Sequence, residues 1–229
     1  MDNINRHDIQ TRILERIGYT GPKPFSTVQG DIPSNKLSFH LQQLQDDGLV
    51  EQVDAGYRLT AKGTEALPYL HGDDAVQPLT RVTLLSRSDG RVRAEQVENR
   101  MAATNGYLDL PSRRARAGRP MGEQARELCT GEARQGDDDP GLVGVLERTI
   151  RFDNGARQEQ LLLAFEEADA GDGAASRYTV SELEDAGTVP GLATVVDRLH
   201  AADHILHGQW LLDHADGELA LARVDIATH

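Results

Sequence analysis

Residues 108 to 133 read LDLPSRRARAGRPMGEQARELCTGEA. Leu-Pro leads into a flexible loop, and Arg-Glu-Leu then sits on an amphipathic helix. That is the outline of a catalytic loop and helix. Where metal chemistry would ask for acids, the loop carries arginines and small residues. Arg113, Arg114, Arg116 and Arg119 occupy it, followed by Arg126 and Glu127 on the helix. Guanidinium forks pair directly with phosphate oxygens. These six residues form a candidate magnesium-independent anion site for a nucleotide-like ligand. A DNA-backbone contact and an ordinary solvated basic loop are the competing readings.

The elements that must position this stretch belong to a chain of 229 residues, enough for one large domain or two small ones. A hydrophobic content of 38% supports packed cores, although only 4% of residues are aromatic. No apolar run is long enough to cross a bilayer, so no membrane partner is expected. The polar start MDNINRHDIQ lacks the basic-then-apolar order of a signal peptide. The single cysteine, Cys129, cannot form an internal disulfide, and a cytoplasmic location is expected. The net charge of −13 argues against a general nucleic-acid coat protein but leaves room for a small DNA-reading surface.

The expected fold class is two-domain α/β, divided at LPYLHGDDAVQPLT, whose prolines, glycine and paired aspartates suit a linker. In residues 1–70, Ile9, Ile13 and Ile17 give one apolar helical face. A short helix follows over Phe25 to Gln29. A third, with Ser34 as N-cap, buries Leu37, Leu41 and Leu44. LVEQV-DAG-YRLT reads as a β-hairpin, and Thr60 caps a last helix. The run SNKLSFHLQQLQDDGLVEQVDAGYRLTAKG resembles the ArsR-type and related winged-helix regulators. The shared features are Ser-Phe-His-Leu, the Leu-x-x-Leu spacing, Gly-Leu-Val, and Tyr-x-Leu-Thr-x-x-Gly. The resemblance implies a winged helix-turn-helix that binds double-stranded DNA as a homodimer. The DNA-facing candidates are Ser34, Asn35, Lys36, Ser38, His40, Gln42 and Gln43 on the third helix, with Tyr57 and Arg58 near the wing. Residues 1–70 hold seven basic and nine acidic residues, so one copy would bind DNA weakly. The metal-sensing cysteines of that family are absent.

Residues 79–229 mix strands and helices. Asp89-Gly90 and Asp216-Gly217 mark hairpins. A helix is expected over about 123–135, strands in GLVGVLERTIRF and EQLLLAFEEAD, a short helix after Thr179 or Ser181, and a longer one from about Pro190. This order resembles the Nudix hydrolase domain over about residues 79–200. A hairpin, Leu-Pro, a loop, Arg126-Glu127-Leu128, and a later Val-Ser-Glu-Leu carry the likeness. It implies an α/β sandwich with a mixed sheet, and in active members several carboxylates that hold magnesium. Here Ser112-Arg113 stand in place of the glycine pair. The loop glutamate is replaced near Gly118-Arg119, and Thr130 and Gly131 replace the paired glutamates. Glu127, Glu132 and Glu123 remain.

The resulting expectation is a DNA-binding transcriptional regulator. Its catalytically degenerate Nudix-like domain senses a ligand or dimerises, with no catalytic residues, metal or cofactor. The alternatives are a Nudix-type nucleoside diphosphate hydrolase with an accessory winged helix, and a protein-interaction scaffold. His200, His204 and His207 have the spacing of a metal face on the last helix, though such histidines more often serve packing or hydrogen bonding. Cys129 reads as a small core residue, Trp210 as an anchor of the final hairpin or of a dimer contact, and residues 190–229 as the best segment for dimerisation.

Overall fold

The computed structural model describes residues 8–67, 79–99, 102–129, 140–167, 176–201 and 203–227. The first unit contains α1 (Asp8–Ile17), α2 (Phe25–Gln29), α3 (Ser34–Asp46), β1 (Val50–Val53), β2 (Gly56–Leu59) and α4 (Ala61–Ala66). Its core is built from Ile13, Leu14 and Ile17 of α1, Leu37, Leu41 and Leu44 of α3, and Leu49, Val50 and Leu59 of the hairpin. The helix over Phe25–Gln29 and the buried leucine stripe are as the periodicity predicts. Ser34 is not the cap: Pro33 holds that position, and its carbonyl accepts from Leu37 N at 2.9 Å. Thr60 does cap α4, accepting from Gly63 N at 3.1 Å. A Cβ on Gly63 would stand 2.0 Å from the Leu49 carbonyl, which accounts for the glycine three residues after the cap.

The second unit runs β3 (Leu79–Leu85), β4 (Arg87–Ser88), β5 (Arg91–Arg93), β6 (Glu95–Gln96), β7 (Leu108–Asp109), β8 (Ser112–Arg114), α5 (Met121–Arg126), β9 (Gly141–Phe152), β10 (Arg157–Glu166), β11 (Arg177–Tyr178), α6 (Val180–Asp185), α7 (Leu192–His200), β12 (Leu206–Ala215) and β13 (Glu218–Ala227). The fold is mixed α/β. Six strands form one mixed sheet in the order β13-β12-β9-β10-β3-β8, with β3/β10 and β9/β12 parallel. Asp89 and Asp216 take positive φ at the expected hairpin turns, a conformation that aspartate tolerates. Thr179 and Glu182 form a capping box on α6.

Alternation along the strands sends two sets of side chains to two faces. Leu146, Ile150, Leu162 and Ala164 meet Leu192, Val195, Val196 and Leu199 of α7. On the other face Val82 and Phe165 meet Ala125 of α5. The helical unit docks on the hairpin tips of the sheet. The Tyr19 ring stacks on Phe152 at 5.2 Å, Gln158 donates to the Tyr19 hydroxyl, and Asn154 donates to Thr64 Oγ1 at 2.9 Å.

The apolar face of β9 is interrupted by Arg148, which is only 2% exposed. Its Nη1 donates to Asp109 Oδ2 at 2.7 Å, and its Nε and Nη2 donate to Gln160 Oε1 at 3.0 and 2.7 Å. Its guanidinium lies 5.2 Å from the Trp210 ring centre, and Trp210 Nε1 donates to Pro190 O at 2.8 Å. Nearby, Arg81 donates to Ser112 Oγ at 2.6 Å. Burial first, and then the charge of Arg148, lower its pKa to about 10. Removing one member of such a buried pair strands the other charge. Asp109→Ala is therefore expected to cost about 3–5 kcal/mol in urea unfolding, whereas the paired Asp109→Leu/Arg148→Met change costs much less. Equal losses in the two variants would show that the pairing is not what matters.

Candidate active site

The arginine-rich stretch forms an edge strand, a loop and a short helix. β8 pairs antiparallel with β3, placing Arg113 opposite Val82 and Arg114 opposite Arg81. The loop after it is organised by Gln124, which is fully buried. Its Oε1 accepts from Arg116 N at 2.8 Å, and its Nε2 donates to Arg116 O and Arg119 O at 3.2 and 3.1 Å. Gly118 takes φ +76 at the bend, and Pro120 occupies the N-cap of α5. One side chain thus stands in for the secondary structure that the loop lacks.

Glu127, at the C-cap of α5, is the meeting point. It pairs with Arg113, and with Arg119 Nη2 at 2.6 Å. Arg119 also lies 3.8 Å from Glu123, which precedes Glu127 by one turn of α5. Arg126 is half-buried on the same helix, whereas Arg116 is exposed. Arg93 donates to Leu128 O at 2.8 Å, tying β5 to the end of the helix. The expected helix over 123–135 starts two residues earlier and ends at Arg126, and residues 130–139, including Glu132, lie outside the described residues.

A further acid was missed by the sequence reading. Glu167 directly follows β10, and Ser86 directly follows the parallel strand β3. Glu167 is 6% exposed, and neither carboxylate oxygen meets a hydrogen-bond donor in good geometry; the buried Ser86 hydroxyl is equally unmatched. The Cys129 thiol donates to Ala125 O at 3.7 Å and also faces Glu167. No motif marks Glu167. Its burial follows from its place at the carboxyl end of a central strand. Buried polar atoms without partners are uncommon, and a catalytic role or a bound water or ion is among the usual reasons for one.

Among the described residues, no three His, Cys, Asp or Glu side chains group to hold a metal ion. Glu127 is engaged by two arginines. Paired in this way, Glu127 presents no free carboxylate to a divalent ion. The histidine spacing also dissolves: α7 ends at His200, and His207 lies on β12, so the expected helical face does not exist.

The residues expected to face DNA separate. Ser34, Asn35, Lys36, Ser38 and Gln42 are exposed on α3, with Gln42 donating to Asp46 at 2.9 Å. His40 is buried, and Gln43 is held between Gln10 (3.1 Å) and His40 (3.2 Å). Tyr57 packs against Phe25, and Arg58 pairs with Glu51 at 2.7 Å.

No protein-family model and no curated protein sequence matches the chain. Its neighbours among solved structures include Nudix hydrolases. A mutator MutT protein from Bacillus halodurans is 15% identical, with a TM-score of 0.47, covering 64% of this chain and 96% of that one. A Nudix hydrolase from Nitrosomonas europaea is 11% identical, with a TM-score of 0.36, covering 54% of this chain and 88% of that one. A UDP-X diphosphatase is 12% identical, with a TM-score of 0.30, covering 86% of this chain and 95% of that one.

These findings correct two expectations. The names of the neighbours include Nudix hydrolases and a diphosphatase and no transcriptional regulator, against the expected DNA-binding regulator. They stand equally against the expected non-enzyme with a degenerate site. No helix among the described residues is long and apolar enough to cross a membrane.

Cys129 gives a direct probe of the site. Burial, and then the neighbouring Glu167 charge, push the thiol up to about 11. A thiol whose folded pKa exceeds its unfolded value stabilises the fold fully below the unfolded value of 9.0, and this is lost as pH rises toward about 11. Alkylation by iodoacetamide at pH 8 should be slow in the native chain and rapid in urea. A native rate equal to that in urea would contradict the burial.

Proposed function

We propose that this chain hydrolyses a phosphoanhydride bond in a nucleoside-diphosphate-linked compound, with residues 8–67 as an accessory unit. The order of three helices and a hairpin supports reading that unit as winged-helix-like. The observation that carries the reading is the convergence of Arg113 and Arg119 on Glu127, at the end of a helix whose next turn reaches Glu167 through Cys129. Arginine pairs are suited to phosphate oxygens, and a carboxylate beside them is suited to taking a proton from water.

An arriving phosphate displaces Glu127 from the two guanidinium groups. The arginines then hold the non-bridging oxygens and offset the charge that builds on them. The freed Glu127 accepts the proton of the attacking water. The new oxygen–phosphorus bond forms as the anhydride bond breaks, and the leaving phosphate takes the electron pair. Gln124 keeps Arg119 in place through its backbone carbonyl.

The test is product release from a panel of nucleoside diphosphate sugars and nucleoside triphosphates, with and without magnesium. At least one class should be turned over. Glu127→Gln should lower kcat by about 10²–10⁴-fold, the usual contribution of a positioned acid or base. Arg119→Ala should raise KM. If the wild-type chain turns over no member of the panel in either buffer, the proposal fails.

A further inference from the structure

We propose that β13 is the interface with a second copy of this chain, paired antiparallel about a two-fold axis at Val224. β13 is the outermost strand of the six-stranded sheet and pairs only with β12 among the described residues. It is ten residues long, ELALARVDIA, and contains neither proline nor lysine, the residues that usually guard such an edge. One register shift opposite Leu211/Leu212 places a bulge at Ala222, a device that limits pairing there, so the proposed contact begins at Arg223. Leu221 is 45% exposed beside the bulge, one of three exposed large apolar side chains among the described residues.

The charges select the occupant and the register. Arg223 and Asp225 flank Val224, pair with each other along the strand, and are 66% and 52% exposed, so association would exchange this pair for two pairs between copies. In an antiparallel pair centred on Val224, Arg223 stands opposite the second copy's Asp225, and Asp225 opposite the second copy's Arg223. Centring on Arg223 opposes two arginines, and centring on Asp225 opposes two aspartates, both unfavourable. A two-fold axis uses each residue twice, so one strand complements itself. The opposite edge of the sheet lacks this property: β8 carries Arg113 and Arg114 side by side. Val224 and its symmetry mate face each other on the α7 side, where Val224 and Ile226 already pack on the core.

Sedimentation of the full chain over a dilution series tests this. The wild type should show a reversible monomer–dimer equilibrium. Arg223→Asp sets like charges against each other at both symmetry-related positions, and should weaken association on the order of tenfold or more in Kd. The charge-exchanged Arg223→Asp/Asp225→Arg variant should recover it. Far-UV circular dichroism of the variants confirms that the sheet is kept, since both side chains lie outside the core. A wild type that stays monomeric throughout overturns the proposal. So does an Arg223→Asp chain that dimerises like the wild type, or a double variant as weak as the single one.

Discussion

The Arg148–Asp109 pair is the constraint around which the second unit is arranged. A guanidinium in an apolar layer is tolerated only if its charge and donors are met. Asp109 meets the charge from β7, Gln160 meets two donors from β10, and Trp210 of β12 covers one face. Three segments far apart in sequence must therefore arrive together. Asp109 is fixed in turn by accepting from Leu110 N at 2.9 Å, immediately before the Pro111 that starts the arginine-rich stretch. The core interaction thereby sets where the candidate site begins.

The parallel pairings carry that constraint across the sheet. β3 and β10 run side by side, and so do β9 and β12, which requires crossovers rather than tight hairpins. The crossover to β10 leaves room for α5 on one face, and the crossover to β12 carries α6 and α7 over the other. The carboxyl ends of β3 and β10 consequently lie together, and Ser86 and Glu167 lie there with them. Ends of parallel strands are a recurrent place for ligands because backbone and side-chain polar groups are left over when the ladder stops.

Around Glu127 the electrostatics differ from those of an acidic metal site. The charges are balanced by arginines rather than left as a carboxylate cluster. In the proposed reaction a phosphate would meet donors already oriented by their contact with Glu127, leaving little side-chain entropy to be lost. Gln124 contributes by holding the loop backbone, which keeps Arg119 from swinging away.

Much of the local structure was legible in the residues themselves. The spacing of Leu37, Leu41 and Leu44, Thr60 ahead of α4, Asp-Gly at both hairpin turns and the Thr179–Glu182 box are short-range signals, read within a few residues of where they act. The arginines and Glu127 could be picked out as chemistry for the same reason. The histidine spacing misled because it assumed a helix that stops at His200, and Ser34 was displaced as cap because the helical bond pattern begins one residue earlier. Glu167, Gln124 and the Arg148–Asp109 pair carry no local signature. Their roles come from burial and from partners on other strands. The sequence by itself determined the turns, caps, apolar faces and stock of charged groups, because these depend on neighbours along the chain. Only the tertiary structure decided which arginines meet Glu127, which acid is buried behind it and which strand is left at the edge, because those depend on how distant segments cross.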